Sequence, residues 1–160
     1  MYRLYISVLV FALSLSVYSC KNDKTKQEHI QLYNDNFIAD EIKITRKSTE
    51  PTSLLQAHEA YNLGHYGIAS PVFLAYEATL EPPSRLAYAI TLIKTNQEAA
   101  AISQLKKIES IPMFNNAGFW YQGLIALRNN DIESVKTHFA KIEEGSRYKP
   151  KALKILSQIK

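Results

Sequence analysis

Residues 119–148 read FWYQGLIALRNNDIESVKTHFAKIEEGSRY. Two apolar stretches of helical period flank the polar turn Arg128-Asn129-Asn130-Asp131, a pattern that predicts two helices folded back on one another. The pattern has two precedents in the same chain, SLLQAHEAYNLGHYGIASPVFLAYEATLEPP at 53–83 and RLAYAITLIKTNQEAAAISQLKKIESIP at 85–112. Small residues recur at Ala57, Ala89 and Gly123, followed by Ala69, Ala101 and Val135. Bulky residues recur at Phe73, Leu105 and Phe139, then at Tyr76, Ile108 and Ile142, and the spacing is 32 residues and then 34. Two closely packed helices need small side chains where their backbones approach. The second helix of each pair needs bulk to fill the gap to the next pair. One such hairpin cannot bury both faces, so the units must stack.

The turns carry compatible chemistry. Gly64 is placed to end the first helix of the first unit. Asn130 with Glu133 three residues on has the spacing of a capping box, and Gly145 is placed to close the last repeat helix. Ser70-Pro71 is a good pair for a helix start, so the second helix of the first unit is expected to begin late. PKALKILSQI at 150–159 is amphipathic, with Ala152, Leu153, Ile155, Leu156 and Ile159 apolar, and suits a helix that caps the last unit.

Tyr61, Gly64, Tyr66 and Ala69 fall in a Tyr-x-x-Gly-x-Tyr-x-x-Ala pattern that resembles the core of the tetratricopeptide repeat, and Phe119, Gly123, Val135 and Phe139 match its signature positions in the third unit. Arg85 stands where that motif usually has an aromatic residue or Leu. The resemblance implies an all-α, tetratricopeptide-like solenoid of helical hairpins, about three repeats plus a C-terminal capping helix. The expected organisation is a signal peptide at 1–19, a lipidated tether at 20–27, an N-terminal arm at 28–52, repeats at 53–148 and a capping helix at 149–160. The arm contains EHIQLYNDNFIADEIKI, whose weak periodicity fits a short helix or a strand-like segment.

The chain opens with Met1-Tyr2-Arg3, runs apolar from Leu4 to Leu15 except for Ser7 and Ser14, and changes after Cys20 to Lys21-Asn22-Asp23-Lys24. A basic start, a short apolar core and a small-residue boundary are the parts of a secretory signal. The apolar run is shorter than the ~20 residues a membrane-spanning helix needs. Val17-Tyr18-Ser19-Cys20 resembles the lipobox of bacterial lipoproteins, although Tyr18 is bulkier than usual there. The resemblance implies a diacylglycerol and an N-acyl group on Cys20, enough acyl chain for stable anchoring. An ordinary secretory signal with a chance cysteine is the alternative. Cys20 is the sole cysteine, so no disulfide forms within the chain. The whole plan is similar to small tetratricopeptide-containing envelope lipoproteins of Bacteroidota. In those a "LY…F" arm, an "A-x-WY-x-x-L" helix and a terminal "Y-x-x-x-A-x-x-x-L" helix accompany the repeats. Here the counterparts are Leu32-Tyr33 to Phe37, Ala117 to Leu124, and Tyr148, Ala152 and Leu156. This implies the outer membrane, with the periplasmic or surface face left open.

Without residues 1–19 about 140 residues remain, enough for one domain with a modest core. Only Arg3 leaves the charge count, so the net charge is about +3, too small for a nucleic-acid footprint. From residue 136 onward seven Lys and Arg face two Glu, a basic segment that reads as a solvated helix face or as a meeting point for an acidic partner.

No HExxH, CxxC, GxSxG, Walker or GxGxxG pattern occurs, and His29, His58, His65 and His138 show no ligand spacing, so neither an enzyme nor a metal protein is expected. In tetratricopeptide stacks the first helix of each hairpin lines a concave groove. By that resemblance the groove residues here are His58, Tyr61, Asn62, Lys94, Trp120 and Arg128, with Lys94 and Arg128 solvated and suited to an acidic or carboxylate-bearing peptide. Core packing is the competing role for Trp120 and Tyr61. The function expected is a lipid-anchored adaptor that binds a protein or peptide at the cell envelope. The alternatives are a fixed structural or regulatory subunit of an envelope complex, and a glycan-binding protein or degraded enzyme. Replacing the acyl acceptor tests the anchor. Cys20→Ala is expected to abolish labelling by radioactive palmitate and to accumulate uncleaved precursor, and labelling that persists would exclude Cys20 as the acceptor.

Overall fold

A computed structural model describes residues 24–42 and 51–159. The expected signal peptide and Cys20 lie outside the described residues. The described part is all-α, with helix α1 over 24–36. It is followed by α2 (Thr52–Asn62), α3 (Tyr66–Ala75), a short 3₁₀ turn (Glu77–Thr79), α4 (Pro82–Lys94), α5 (Glu98–Lys106), α6 (Asn115–Arg128), α7 (Ile132–Ala140) and α8 (Lys149–Gln158). Residues 24–27, expected as tether, already belong to α1.

Three helical pairs, α2 with α3, α4 with α5 and α6 with α7, each join through a three-residue turn. All three turns have one geometry. Gly64, Asn96 and Asn130 adopt φ of 79°, 60° and 61°. The amide after each donates back across the turn, His65 to Ala60 (2.8 Å), Gln97 to Leu92 (2.8 Å) and Asp131 to Ala126 (2.9 Å). The left-handed residue donates to the carbonyl three positions before it at 2.9–3.1 Å. These paired bonds satisfy the otherwise orphaned carbonyls at each helix end. Asn130 therefore closes α6 and does not start α7. The N-cap of α7 is Asp131, whose carboxylate accepts the Ser134 amide at 3.1 Å, while Glu133 pairs with Lys136 at 3.0 Å. Gly145 closes no helix, since α7 ends at Ala140.

Pro71 does not delay α3, which runs through it from Tyr66. The lost hydrogen bond would have gone to the carbonyl of Gly67, and both residues are exposed, so water takes the place of the missing amide. The helix keeps its register because Ala69 and Phe73, on its other side, are fully buried.

The register of small and large residues is visible in the core. Ala89, Ala69, Ala101 and Val135 are fully buried, and Phe73, Leu105 and Ile108 fill the spaces between pairs. At Gly123 a β-carbon would overlap the Phe139 ring, so α6 and α7 meet at backbone distance. Arg85 departs from the repeat pattern and has a specific task. Its guanidinium donates to Gln104 Oε1 (2.8 Å) and to the carbonyls of Leu80 (2.9 Å) and Glu77 (3.2 Å), tying the 3₁₀ turn to α5. Helix α8 packs on α7 through the buried Ala152 and Ile155, while Leu153 is half exposed.

Gly123→Ala is expected to destabilise the domain by ~1–3 kcal/mol through overpacking against Phe139. Gly67→Ala, whose β-carbon meets open space in a helix, should be neutral or stabilising by up to ~1 kcal/mol. Thermal melts of the two variants check the contrast, which should amount to ~2–5 °C per kcal/mol for a chain of this size.

Candidate functional site

The first helices of the three pairs are neighbours, α2 beside α4 and α4 beside α6. The face they share is covered by the chain itself. Tyr33 and Phe37, four residues apart at the end of α1, turn their rings inward and are buried, with Ile42 buried further along. Helix α1 ends at residue 36, and 37–42 continue without regular structure, leaving backbone groups that no helix or sheet satisfies. Side chains of the covered face satisfy five of them, at Ile38, Asp40 and Ile42.

Asp40 is the centre of this arrangement. Its carbonyl accepts the Tyr61 hydroxyl of α2 at 2.5 Å, and its amide donates to the Tyr121 hydroxyl of α6 at 3.0 Å. Its carboxylate meets the Tyr148 hydroxyl and pairs with Arg147 at 2.9 Å. Tyr121 also donates to the Ile38 carbonyl at 2.9 Å, so a single hydroxyl bridges two backbone groups. Asn62 uses both ends of its carboxamide on Ile42, accepting from the amide and donating to the carbonyl at 3.3 Å each.

The rings of the arm lie against cations. Lys94 Nζ is 4.2 Å from the centroid of Phe37, and the Arg128 guanidinium carbon is 4.9 Å from that of Tyr33, both within cation–π range. Phe37 also packs on Tyr121, with centroids 5.6 Å apart. At the far end of α1, the buried His29 bonds Asn130 Oδ1 at 2.6 Å through Nδ1.

Burial sets the charge states here. It raises the hydroxyl pKa of Tyr61 and Tyr121, with the Asp40 carboxylate adding to the effect. Tyr148 is raised first by burial and then by its hydrogen bond to Asp40. The three phenols are thus neutral and able to donate. Burial, and then the neighbouring Arg128, lowers Lys94.

Of the expected groove residues, Tyr61, Asn62, Lys94 and Arg128 come together on this face, and all four touch residues 33–42. Arg128 is not solvated as expected, because Glu98 holds it at 2.5 Å as well. His58 and Trp120 lie elsewhere. His58 is buried between Ser84 (3.0 Å) and the edge-on ring of Phe73, and desolvation lowers its pKa to about 4. Trp120 is buried between Phe139 and Tyr148, stacked at centroid distances of 5.3 Å and 5.7 Å. It thereby steadies the ring whose hydroxyl meets Asp40. Asp40, Tyr121, Arg147 and Tyr148 were not singled out as site residues from sequence. The available signal was charge: residues 28–42 contain four carboxylates and no Lys or Arg, opposite Lys94, Arg128 and Arg147.

Beside Ile42 a cleft of about 370 Å³ opens between Pro83, Leu86, Met113, Phe114 and Arg147. Among the described residues no group of three or more His, Cys, Asp or Glu is placed to hold a metal ion, and no helix is long and apolar enough to cross a membrane. Comparison with protein-family models, curated proteins and solved structures finds no match.

Tyr121→Phe leaves the Ile38 carbonyl and the Asp40 amide without their partner. It is expected to cost ~1–3 kcal/mol, the range for stranded buried polar groups. Tyr66→Phe, at a half-buried ring, is the comparison and should cost less. Urea unfolding of both variants measures the difference.

Proposed function

We propose that this chain is a lipid-anchored helical-repeat adaptor of the bacterial envelope, built on a tetratricopeptide-like stack, that binds an extended protein segment on its α2/α4/α6 face. One observation carries the reading: that face holds the backbone of a non-helical segment through Tyr61, Asn62 and Tyr121, the groups a peptide-binding groove needs. Backbone hydrogen bonds provide affinity with little regard to sequence, and side-chain subsites add selectivity.

Three further features support the repeat assignment. The hairpin turns share one geometry at Gly64, Asn96 and Asn130, at the same 32- and 34-residue spacing as the small core positions. Each pair packs on the next. The terminal helix α8 covers the last pair, as a stack with an apolar end requires. The anchor rests on the Val17-Tyr18-Ser19-Cys20 motif and its apolar leader. A protein held in a membrane with a peptide-binding face has the form of a scaffold, bringing a soluble or periplasmic partner to a surface.

A photo-crosslinking residue placed at Lys94, on the binding face, should capture a defined partner in envelope fractions of the cells that make the protein. The same residue at Leu74, exposed on α3, should not. Adducts from neither position, or the same adducts from both, would remove the groove as the interaction site.

A further inference from the structure

We infer that residues 37–42 act as an internal stand-in for the partner, and that the partner segment displacing them has an aromatic, an acidic and an aliphatic residue at the spacing of Phe37, Asp40 and Ile42. The inference rests on the adaptor reading and specifies the ligand of the same face.

The contacts divide the segment into read and unread positions. Phe37 lies between the Lys94 ammonium and the Tyr121 ring. Ala39 is partly buried against the core. The Asp40 carboxylate meets a cation, Arg147, and a neutral phenol, Tyr148, a pairing that selects a carboxylate over an amide or a base. Ile42 is buried. Ile38, by contrast, is 64% exposed, and Glu41 faces solvent too. Between the selective positions the bonds go to main-chain atoms at 38, 40 and 42, which any extended peptide presents. The charges agree as well. The covering stretch 28–42 has four carboxylates and no Lys or Arg, and the cations Lys94, Arg128 and Arg147 stand opposite it. An acidic segment of this pattern in another protein would make the same contacts. It would compete with the arm at an affinity reduced by the fraction of time the arm is docked.

The test uses the chain from Cys20 onward and, as probe, a fluorescent peptide of residues 29–42. The peptide should bind a Phe37→Ala/Asp40→Ala chain roughly tenfold or more tightly than wild type, since the substitutions weaken only the internal competitor. Peptides carrying either of the same substitutions should lose roughly tenfold on that open chain. Equal binding to both chains, or indifference to the peptide's Phe and Asp, overturns the inference. If the double variant is not folded by circular dichroism, the wild-type chain still decides. Excess unlabelled peptide should speed hydrogen exchange at the Asp40 and Ile42 amides, which are bonded to Tyr121 and Asn62. Unchanged protection at saturating peptide overturns it. So does a concentration-dependent dimer without peptide binding, which would assign the face to the arm of a second copy. Failure of the adaptor reading looks different: the peptide exchanges with the arm as described, yet no partner is captured through Lys94.

Discussion

Three tyrosine hydroxyls from three parts of the chain converge on one residue. Tyr61 comes from α2, Tyr121 from α6, and Tyr148 from the start of α8, and together they engage the carbonyl, the amide and the carboxylate of Asp40. Each phenol is largely buried, and a buried hydroxyl without a partner costs on the order of 1–3 kcal/mol. The ring positions are set by core packing that the hydroxyls do not control. Tyr121 is fully buried within α6, and Tyr148 is pressed on Trp120 and through it on Phe139. The aromatic core thus fixes where the polar ends lie, and Asp40 answers all three.

The repeat supplies the frame for this. Gly123 lets Phe139 reach the α6 backbone; Trp120 stacks on that ring, and Tyr148 stacks on Trp120. Losing that close approach would shift a column of aromatics whose last member touches Asp40. Stability and the face covered by residues 33–42 are coupled through shared rings, so variants in the third pair should be read with both in mind.

Local chemistry made the repeat legible. The small and bulky residues at 32- and 34-residue spacing are buried apart from the half-buried Tyr76, because packing across a hairpin depends on side-chain volume at fixed positions. Gly64 was legible for its freedom at positive φ. Asn130 was misplaced by one position, since Asn serves both as a helix cap and as a left-handed residue, and the Asp that follows it took the cap. Pro71 was misread because its cost depends on whether the orphaned carbonyl faces water, which is a property of the fold. The arm was less legible still. Tyr33, Phe37 and Ile42 are too sparse for a periodic signal, and their burial depends on residues about 20 to 95 positions away. Register grouped Tyr61, Asn62, Lys94 and Arg128, which meet on one face against residues 33–42, whereas Trp120 shares their helix series but points to the other side, toward Phe139.

The docked arm also sets a distance. Three residues separate Cys20 from Lys24, where α1 is already helical. At no more than ~3.6 Å per residue, a lipid on Cys20 would keep the docked domain within ~15 Å of the bilayer surface. Releasing the arm turns everything from Cys20 to Pro51 into leash, whose fully extended limit is ~100–110 Å. With the anchor proposed here, exchanging the arm for a partner would change how far from the membrane that partner is held. The same few hydrogen bonds at Asp40 would then govern both occupancy of the face and the radius of the volume it can search.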